Sequence, residues 1–478
     1  MISFTLSFLM SAMVSQNAIP QSDYIADEVI VKGETYPYLL LSPKNIVEGK
    51  TYPLIVFLHG AGERGNDNNK QKRHFPELMA SAKYQKLHSA FVLAPQCPQR
   101  QSWVDVNWSS KESTPYKSTA TLPMQGAIAA LKRVVAEYPI DHESISLTGL
   151  SMGGYGTWDL AMRHPYWFAA AVPVCGGGDE NNAARFSGLK LQVWHGEDDE
   201  VVPAFRSRNM VEGIIDLGME VDYFELPNTG HNSWYKAYRD QAFSEMFFPA
   251  KRDPKQMQIS SAQFMARSMI KDERIAFLGD SITQAGNAEG GYVDLIRRTL
   301  KSESSSATII PAGISGHKVP DLLKRLDKDV IDKKPTVVFI YIGINDVWHS
   351  QSGSGTDIKA YGEGLRKIIR SIHESGSKVV LATPTVIGEK AKGENPLDEM
   401  LEEYAAVSRK IAKEEKAILC DLRAAFVDYL GVFNPKNLEK GILTADGVHL
   451  NEMGNILVAI ESSLAIREAI LEHNLENL

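Results

Sequence analysis

Three scarcities narrow the reading of this 478-residue chain before any motif is considered. Cysteine is nearly absent: Cys97, Cys175 and Cys420 form no CxxC pair and no cluster with histidine, so neither a disulfide framework nor a zinc site is indicated. Cys97 and Cys175 follow apolar runs that read as strands, where a small buried thiol is the ordinary role and a bridge between them the minor alternative. Basic charge is nowhere concentrated. Residues 1–250 carry a formal net charge of −6 and the remainder −2, so neither half offers nucleic acid or an anionic membrane a basic face. No apolar run approaches the roughly 20 residues that a membrane-spanning helix needs. Residues 1–13 are apolar and uncharged, and small and polar residues follow to Ala18. This resembles the apolar region and cleavage zone of a secretory leader, although the usual leading Lys or Arg is missing. A leader at 1–18 and a secreted or periplasmic enzyme are expected, with a misassigned start or an ordinary tail as the alternative.

What remains is a chain too long for one hydrophobic core and comfortable for two. Short apolar runs at 53–58, 91–94, 144–148, 169–174 and 191–194 alternate with helical periodicity, the pattern of a mostly parallel sheet covered by helices. Residues 249–271 contain Pro249, Pro254 and scattered charge without a strand pattern, and are expected to be a linker between domains at 19–248 and 272–478. A second alternation begins at 274–278 and continues through 336–342, 378–383 and 417–420.

Each half carries its own set of nucleophile signals. In the first, Gly149-Leu150-Ser151-Met152-Gly153 joins a predicted strand to a predicted helix. Glycines around the serine permit the sharp turn that lifts its hydroxyl above a sheet, and the helix N-terminus favours a developing negative charge. An oxyanion hole needs two N–H groups. Met152 supplies one, and His59-Gly60-Ala61-Gly62, directly after a strand, supplies the other through Ala61 or Gly62. His59 itself is expected to support that loop. For the acid, Glu197, Asp198, Asp199 and Glu200 all follow a strand, and Gly230-His231-Asn232-Ser233-Trp234 offers the base.

These motifs together resemble the α/β-hydrolase superfamily, in its esterase and predicted-peptidase branch, over residues 25–248. The resemblance implies that the acid lies four residues after the His of an HGxxDxxVP pattern, which makes Asp199 the acid and Asp198 the runner-up, and that His231 is the base.

The second set reads Gly279-Asp280-Ser281, Gly343-Ile344-Asn345-Asp346 and Asp446-Gly447-Val448-His449. In order and at strand ends, these blocks resemble the SGNH or GDSL hydrolase family over residues 272–470, which implies a three-layer α/β/α sandwich. Ser281 is then the nucleophile, His449 its base and Asp446 the acid, with the Ser281 and Gly313 N–H groups and the Asn345 side-chain amide receiving the oxyanion. One departure is visible: Pro311-Ala312-Gly313 has proline where the family's glycine block often has Asn; Gly313 still offers its N–H, and the resemblance does not carry over how that loop is braced.

The expected protein is a bifunctional serine esterase with no metal or organic cofactor. Six of its seven tryptophans lie in the first half, Trp234 beside His231, while Trp348 follows Asn345; indole faces suit sugar rings, although most tryptophans simply pack in cores. Acylated carbohydrate is the expected partner, with acetyl and feruloyl groups as candidates. The alternatives are a lipid or aryl esterase, a peptidase-like hydrolase, or one active domain beside a carbohydrate-binding relic.

Overall fold

The computed structural model describes residues 24–476 apart from 111, 114, 116 and 271; the expected leader lies outside them. Two parallel-rich sheets follow one another along the chain. The first has eight strands: β1 (Tyr24–Val31), β2 (Glu34–Leu41), β3 (Tyr52–Leu58), β4 (Phe91–Pro95), β5 (Ile140–Leu150), β6 (Ala170–Val174), β7 (Lys190–Gly196) and β8 (Asp222–Leu226). Their spatial order is β1-β2-β4-β3-β5-β6-β7-β8. β2 alone runs against the other strands, antiparallel to both β1 and β4, and the opening β1–β2 hairpin has no counterpart in the sequence expectation. Its turn, Lys32-Gly33, has positive φ at both residues (51° and 83°), which matches the right-handed twist of the flanking strands.

Strands β3, β4 and β6 are continuous apolar runs because helices cover both of their faces. In the helix Met152–Arg163, every residue from Met152 to Met162 is buried. Truncating a core side chain such as Leu160 to alanine costs about 2–5 kcal/mol.

The second sheet contains β9 (Arg274–Gly279), β10 (Thr308–Gly313), β11 (Val337–Tyr341), β12 (Lys378–Ala382) and β13 (Ile418–Cys420). All are parallel, in the order β10-β9-β11-β12-β13. Sequence periodicity misses β10 because it is a half-exposed edge strand interrupted by Pro311. An edge is where a strand tolerates the missing proline N–H.

The segment expected to be a linker holds an ordered helix, Pro254–Arg267, with Pro254 in its first turn and the Asp253 side chain capping Gln256 N at 3.0 Å. It touches both sides. Ser187 Oγ donates to Met257 O at 3.3 Å on the first domain, while Gln263 reaches Glu303 at 2.9 Å and Lys255 pairs with Glu452 at 2.8 Å on the second. Direct contacts join the domains as well: Tyr166 Oη donates to Glu461 at 2.5 Å, Arg185 pairs with the same carboxylate at 3.2 Å, and His164 Nδ1 lies 2.9 Å from Asp428. Buried apolar side chains run continuously through both halves. Two sheets therefore share one packed body.

Candidate active sites

The parallel strands of the first sheet end flush, with Leu58 opposite Gly149, Leu150 opposite Val174, Val174 opposite Trp194 and Gly196 opposite Leu226. The loops that leave these ends therefore meet above a single edge. Ser151 leaves β5 at φ 54° and ψ −117°, a strained conformation for a residue with a side chain. Close packing holds it there: a Cβ on Gly153 would lie 1.8 Å from the Leu58 carbonyl oxygen, so only glycine admits the elbow to β3. Ser151 Oγ donates to His231 Nε2 at 2.8 Å, and His231 Nδ1 donates to Asp199 Oδ2 at 2.8 Å.

Asp199 is tied down on its other oxygen by Val201 N (2.9 Å) and Val202 N (2.8 Å). Burial alone would raise this carboxyl; the His195 and His231 rings and the Val202 amide outweigh it and hold the group well below the usual carboxylate range. Asp198 points to solvent, and its backbone N–H serves Thr229 O at 3.0 Å. Among the four carboxylates, Asp199 is the one that meets His231.

The β3 loop reaches the elbow through Gly60, where a Cβ would lie 2.8 Å from Leu150 Cδ1. Ala61 begins the 3₁₀ turn Ala61–Glu63 and Met152 begins the helix after Ser151; first-turn N–H groups have no partner within their own helix. His59 is buried beneath them. It accepts from Cys97 N at 2.9 Å on Nε2 and donates to Gly60 O at 2.6 Å from Nδ1, and burial lowers its pKa to about 4. A neutral bridge between two loops is its role here.

At the second site, Ser281 follows β9, Gly313 ends β10 and Asn345 follows β11. Gly279 is level with Gly313 on one side and Tyr341 on the other. The chain steps from β9 to one edge and then back across it, and this reversal opens a crevice beyond the strand ends. Ser281 Oγ donates to His449 Nε2 at 3.0 Å, and His449 Nδ1 donates to Asp446 Oδ2 at 2.8 Å. Asp446 also accepts from Val448 N and His449 N at 2.9 and 2.8 Å. Burial opposes its ionisation, but the His449 ring and these amides prevail and lower its pKa to about 2. Gly313 lies against the helix that Ser281 begins: a Cβ there would sit 2.3 Å from Gln284 N. Asn345 Nδ2 donates one hydrogen to His317 O at 3.1 Å, which orients the amide and leaves the second hydrogen.

Residues 45–242 match the phospholipase/carboxylesterase family, and residues 277–456 match the GDSL-like lipase/acylhydrolase family. The chain belongs to these two hydrolase families in series. It is similar to an acetylxylan esterase of Geobacillus stearothermophilus, 31% identical over 205 residues, which are 39% of this chain and 90% of that protein. A GDSL esterase/lipase of Arabidopsis thaliana is 26% identical over 209 residues, 41% of this chain and 79% of the relative. Among solved structures, an acetyl xylan esterase is 42% identical, with 40% of this chain and 97% of that one covered at a TM-score of 0.39. The chain is a carboxylic-ester hydrolase.

Several parts of this hydrolase carry no motif. The buried carboxylate of Glu389 accepts from Ile442 N (2.8 Å), Leu443 N (2.7 Å), Thr444 N (2.5 Å) and Thr444 Oγ1 (2.7 Å). It anchors the loop that carries Asp446 and His449. A lone acid in an irregular segment gives no spacing signal. His195, in the first domain, is buried with Nε2 2.8 Å from Val202 O and 3.3 Å from Asp199 Oδ2, so it supports the acid from behind. Among the described residues, Cys175, Asp199 and His231 also bring ligand atoms within 4.8 Å of one another. Asp199 and His231 are engaged with each other, and burial holds the Cys175 thiol protonated well above its ordinary range. All three cysteines are free and buried, and no described helix is long and apolar enough to cross a membrane.

Proposed function

We propose that the protein carries two independent serine-esterase sites that remove acyl groups from carbohydrate chains, with acetyl esters as the common substrate and feruloyl esters as a candidate for the first site. The observation that carries this reading is the pair of complete relays, Ser151–His231–Asp199 at 2.8 and 2.8 Å and Ser281–His449–Asp446 at 3.0 and 2.8 Å. In each, the serine oxygen attacks the ester carbonyl carbon while its proton passes to histidine Nε2. The tetrahedral oxyanion collapses, the sugar hydroxyl leaves with that proton, and water repeats the cycle on the acyl-enzyme. Asp199 and Asp446 hold the imidazole tautomer and stabilise the imidazolium. Ala61 and Met152 N–H groups receive the first oxyanion; the Ser281 and Gly313 N–H groups and the Asn345 amide receive the second.

Similarity to an acetylxylan esterase supports an acetylated sugar. So do indole rings at both bases: Trp234 stands edge-on to His231 at 5.4 Å and Trp348 to His449 at 6.4 Å. Hydrolysis of acetylated and feruloylated xylo-oligosaccharides by Ser151→Ala and Ser281→Ala, with product analysis, tests the assignment. Each variant should lose a different part of the product profile. Loss of every ester hydrolysis by either single variant would refute two sites, and equal rates on sugar and plain aryl esters would refute the carbohydrate substrate.

A further inference from the structure

In the second domain the proline at position 311 leaves the Gly313 loop without the side-chain brace its motif leads one to expect, and the structure supplies another. Arg325, on the helix Val319–Asp329, is almost wholly covered. Its guanidinium spreads over the strand ends around Ser281. Nη1 donates to Ala312 O at 2.8 Å, Nη2 donates to Gly279 O at 2.8 Å, and Nε donates to His317 Nδ1 at 3.1 Å. Asp329, one turn along the same helix, pairs with it at 3.1 Å. The helix start is fixed to the Asn345 turn as well, because Asp346 Oδ1 accepts from Val319 N at 3.2 Å.

These acceptors are not scattered. Ala312 C=O and Gly313 N–H belong to one peptide group, which is planar and trans, so a donor that fixes the carbonyl also fixes the opposite direction of the N–H. A cationic donor on the carbonyl polarises that peptide and strengthens the N–H as a donor. The third acceptor leads to the other oxyanion ligand, because the residue whose ring receives Arg325 Nε is His317, whose carbonyl orients the Asn345 amide. Burial and the adjacent Arg325 charge hold His317 below its ordinary pKa, which keeps Nδ1 available as an acceptor. Gly279 O lies two residues before Ser281. One rigid fork thus touches the segments that carry the nucleophile, the backbone donor and the amide donor. Lysine, a point charge with no planar fork, cannot hold all of them at once.

We propose that Arg325 is a positioning residue that aims two oxyanion donors of the Ser281 site, the Gly313 N–H and the Asn345 amide. The inference rests on the reading of Ser281 as a nucleophile. A brace of this kind acts on the transition state, in which the carbonyl oxygen gains charge, more than on bound substrate.

The test uses the full chain carrying Ser151→Ala, so that only the second site reports, with p-nitrophenyl acetate for turnover and a fluorophosphonate for labelling of Ser281. Arg325→Gln should lower kcat and the labelling rate on the order of ten- to a hundredfold while KM stays within about twofold. Arg325→Lys should fall between, and the loss should be less than additive with that of Asn345→Ala, since both act on one donor set. Melting temperature is read on the same preparations. If Arg325→Gln does not fold, Arg325→Lys decides by the same kcat-to-KM ratio. A folded variant with kcat within about threefold of its parent, or a loss fully additive with Asn345→Ala, would overturn the proposal and leave Arg325 as a structural tie. A parent in which Ser281 neither turns over nor labels would overturn the nucleophile assignment itself, and this inference with it.

Discussion

The two relays have nearly the same dimensions and are built in opposite ways. In the first, acid and base come from different loops, and the Asp199 side chain is fully covered (0%) while His231 is 21% exposed. In the second, acid and base stand three residues apart on one loop, with Asp446 49% and His449 37% exposed. The donors proposed for the oxyanions differ in the same sense: backbone groups set by flush strands in one, two backbone groups and a tethered side-chain amide in the other. Long-range packing makes the first site; the second makes its dyad locally and then anchors the loop through Glu389 and the donors through Arg325. A buried carboxylate must be matched by several donors or its desolvation is uncompensated. An exposed one can rely on water for part of that work.

Removing the proposed nucleophiles should separate the two proposed sites most strongly. Ser151→Ala and Ser281→Ala should each abolish one activity, by on the order of a million-fold in kcat, and the double variant should hydrolyse nothing. The acids sharpen the comparison. Asp199→Asn should cost about ten-thousand-fold in kcat, with Asp198→Asn near the parent rate. Asp446→Asn should cost clearly less, because solvent at an exposed dyad can reorient and stabilise the imidazolium. Equal losses at Asp199 and Asp446, measured on substrates specific to each site, would erase the distinction.

Asn345→Ala should lower kcat of the Ser281 reaction roughly a hundred- to a thousandfold with little change in KM, leaving the Ser151 reaction untouched. If Asn345 only closes its turn, the variant instead melts earlier and keeps its kcat. Glu389→Gln puts an amide hydrogen among four donors. It should destabilise the chain by about 1.5–3 kcal/mol, visible as a lower melting temperature, and slow the Ser281 reaction alone.

The smallest effect is a pH dependence carried by His59 in the first domain. His59 has a pKa near 4 when folded against an ordinary 6.5, so between those values the unfolded chain binds more protons. Its contribution to stability is therefore present above pH 6.5 and lost as pH falls towards 4. Thermal midpoints of the parent should fall over this window more steeply than those of His59→Gln, whose amide can accept from Cys97 N and donate to Gly60 O without titrating.

The helix Met152–Arg163 coincides with its sequence reading, because glycine at its start and apolar spacing along it are local signals. The β1–β2 hairpin, the edge strand β10 and the helix Pro254–Arg267 were not legible. Each is only half buried or lies between two bodies, so its composition does not announce a partner. A cut at residue 271 would part that helix from its second-domain partners Glu303 and Glu452, and a boundary near 249–253, which gives up the Ser187 and Leu217 contacts instead, keeps it with them.

Sequence alone determined the two motif sets, their order and the placement of both serines at strand ends, because nucleophile elbows and acid–base loops are short-range patterns with fixed spacing. The resemblance also named Asp199 as the first acid, with Asp198 as the runner-up. Only the tertiary structure set Asp199 2.8 Å from His231 with Asp198 turned to solvent, gave Glu389 and Arg325 their partners and joined the domains through Glu461 and the intervening helix. Those outcomes depend on which backbone groups lie within 3 Å of a side chain more than ten residues away, and periodicity along a chain carries no such distance.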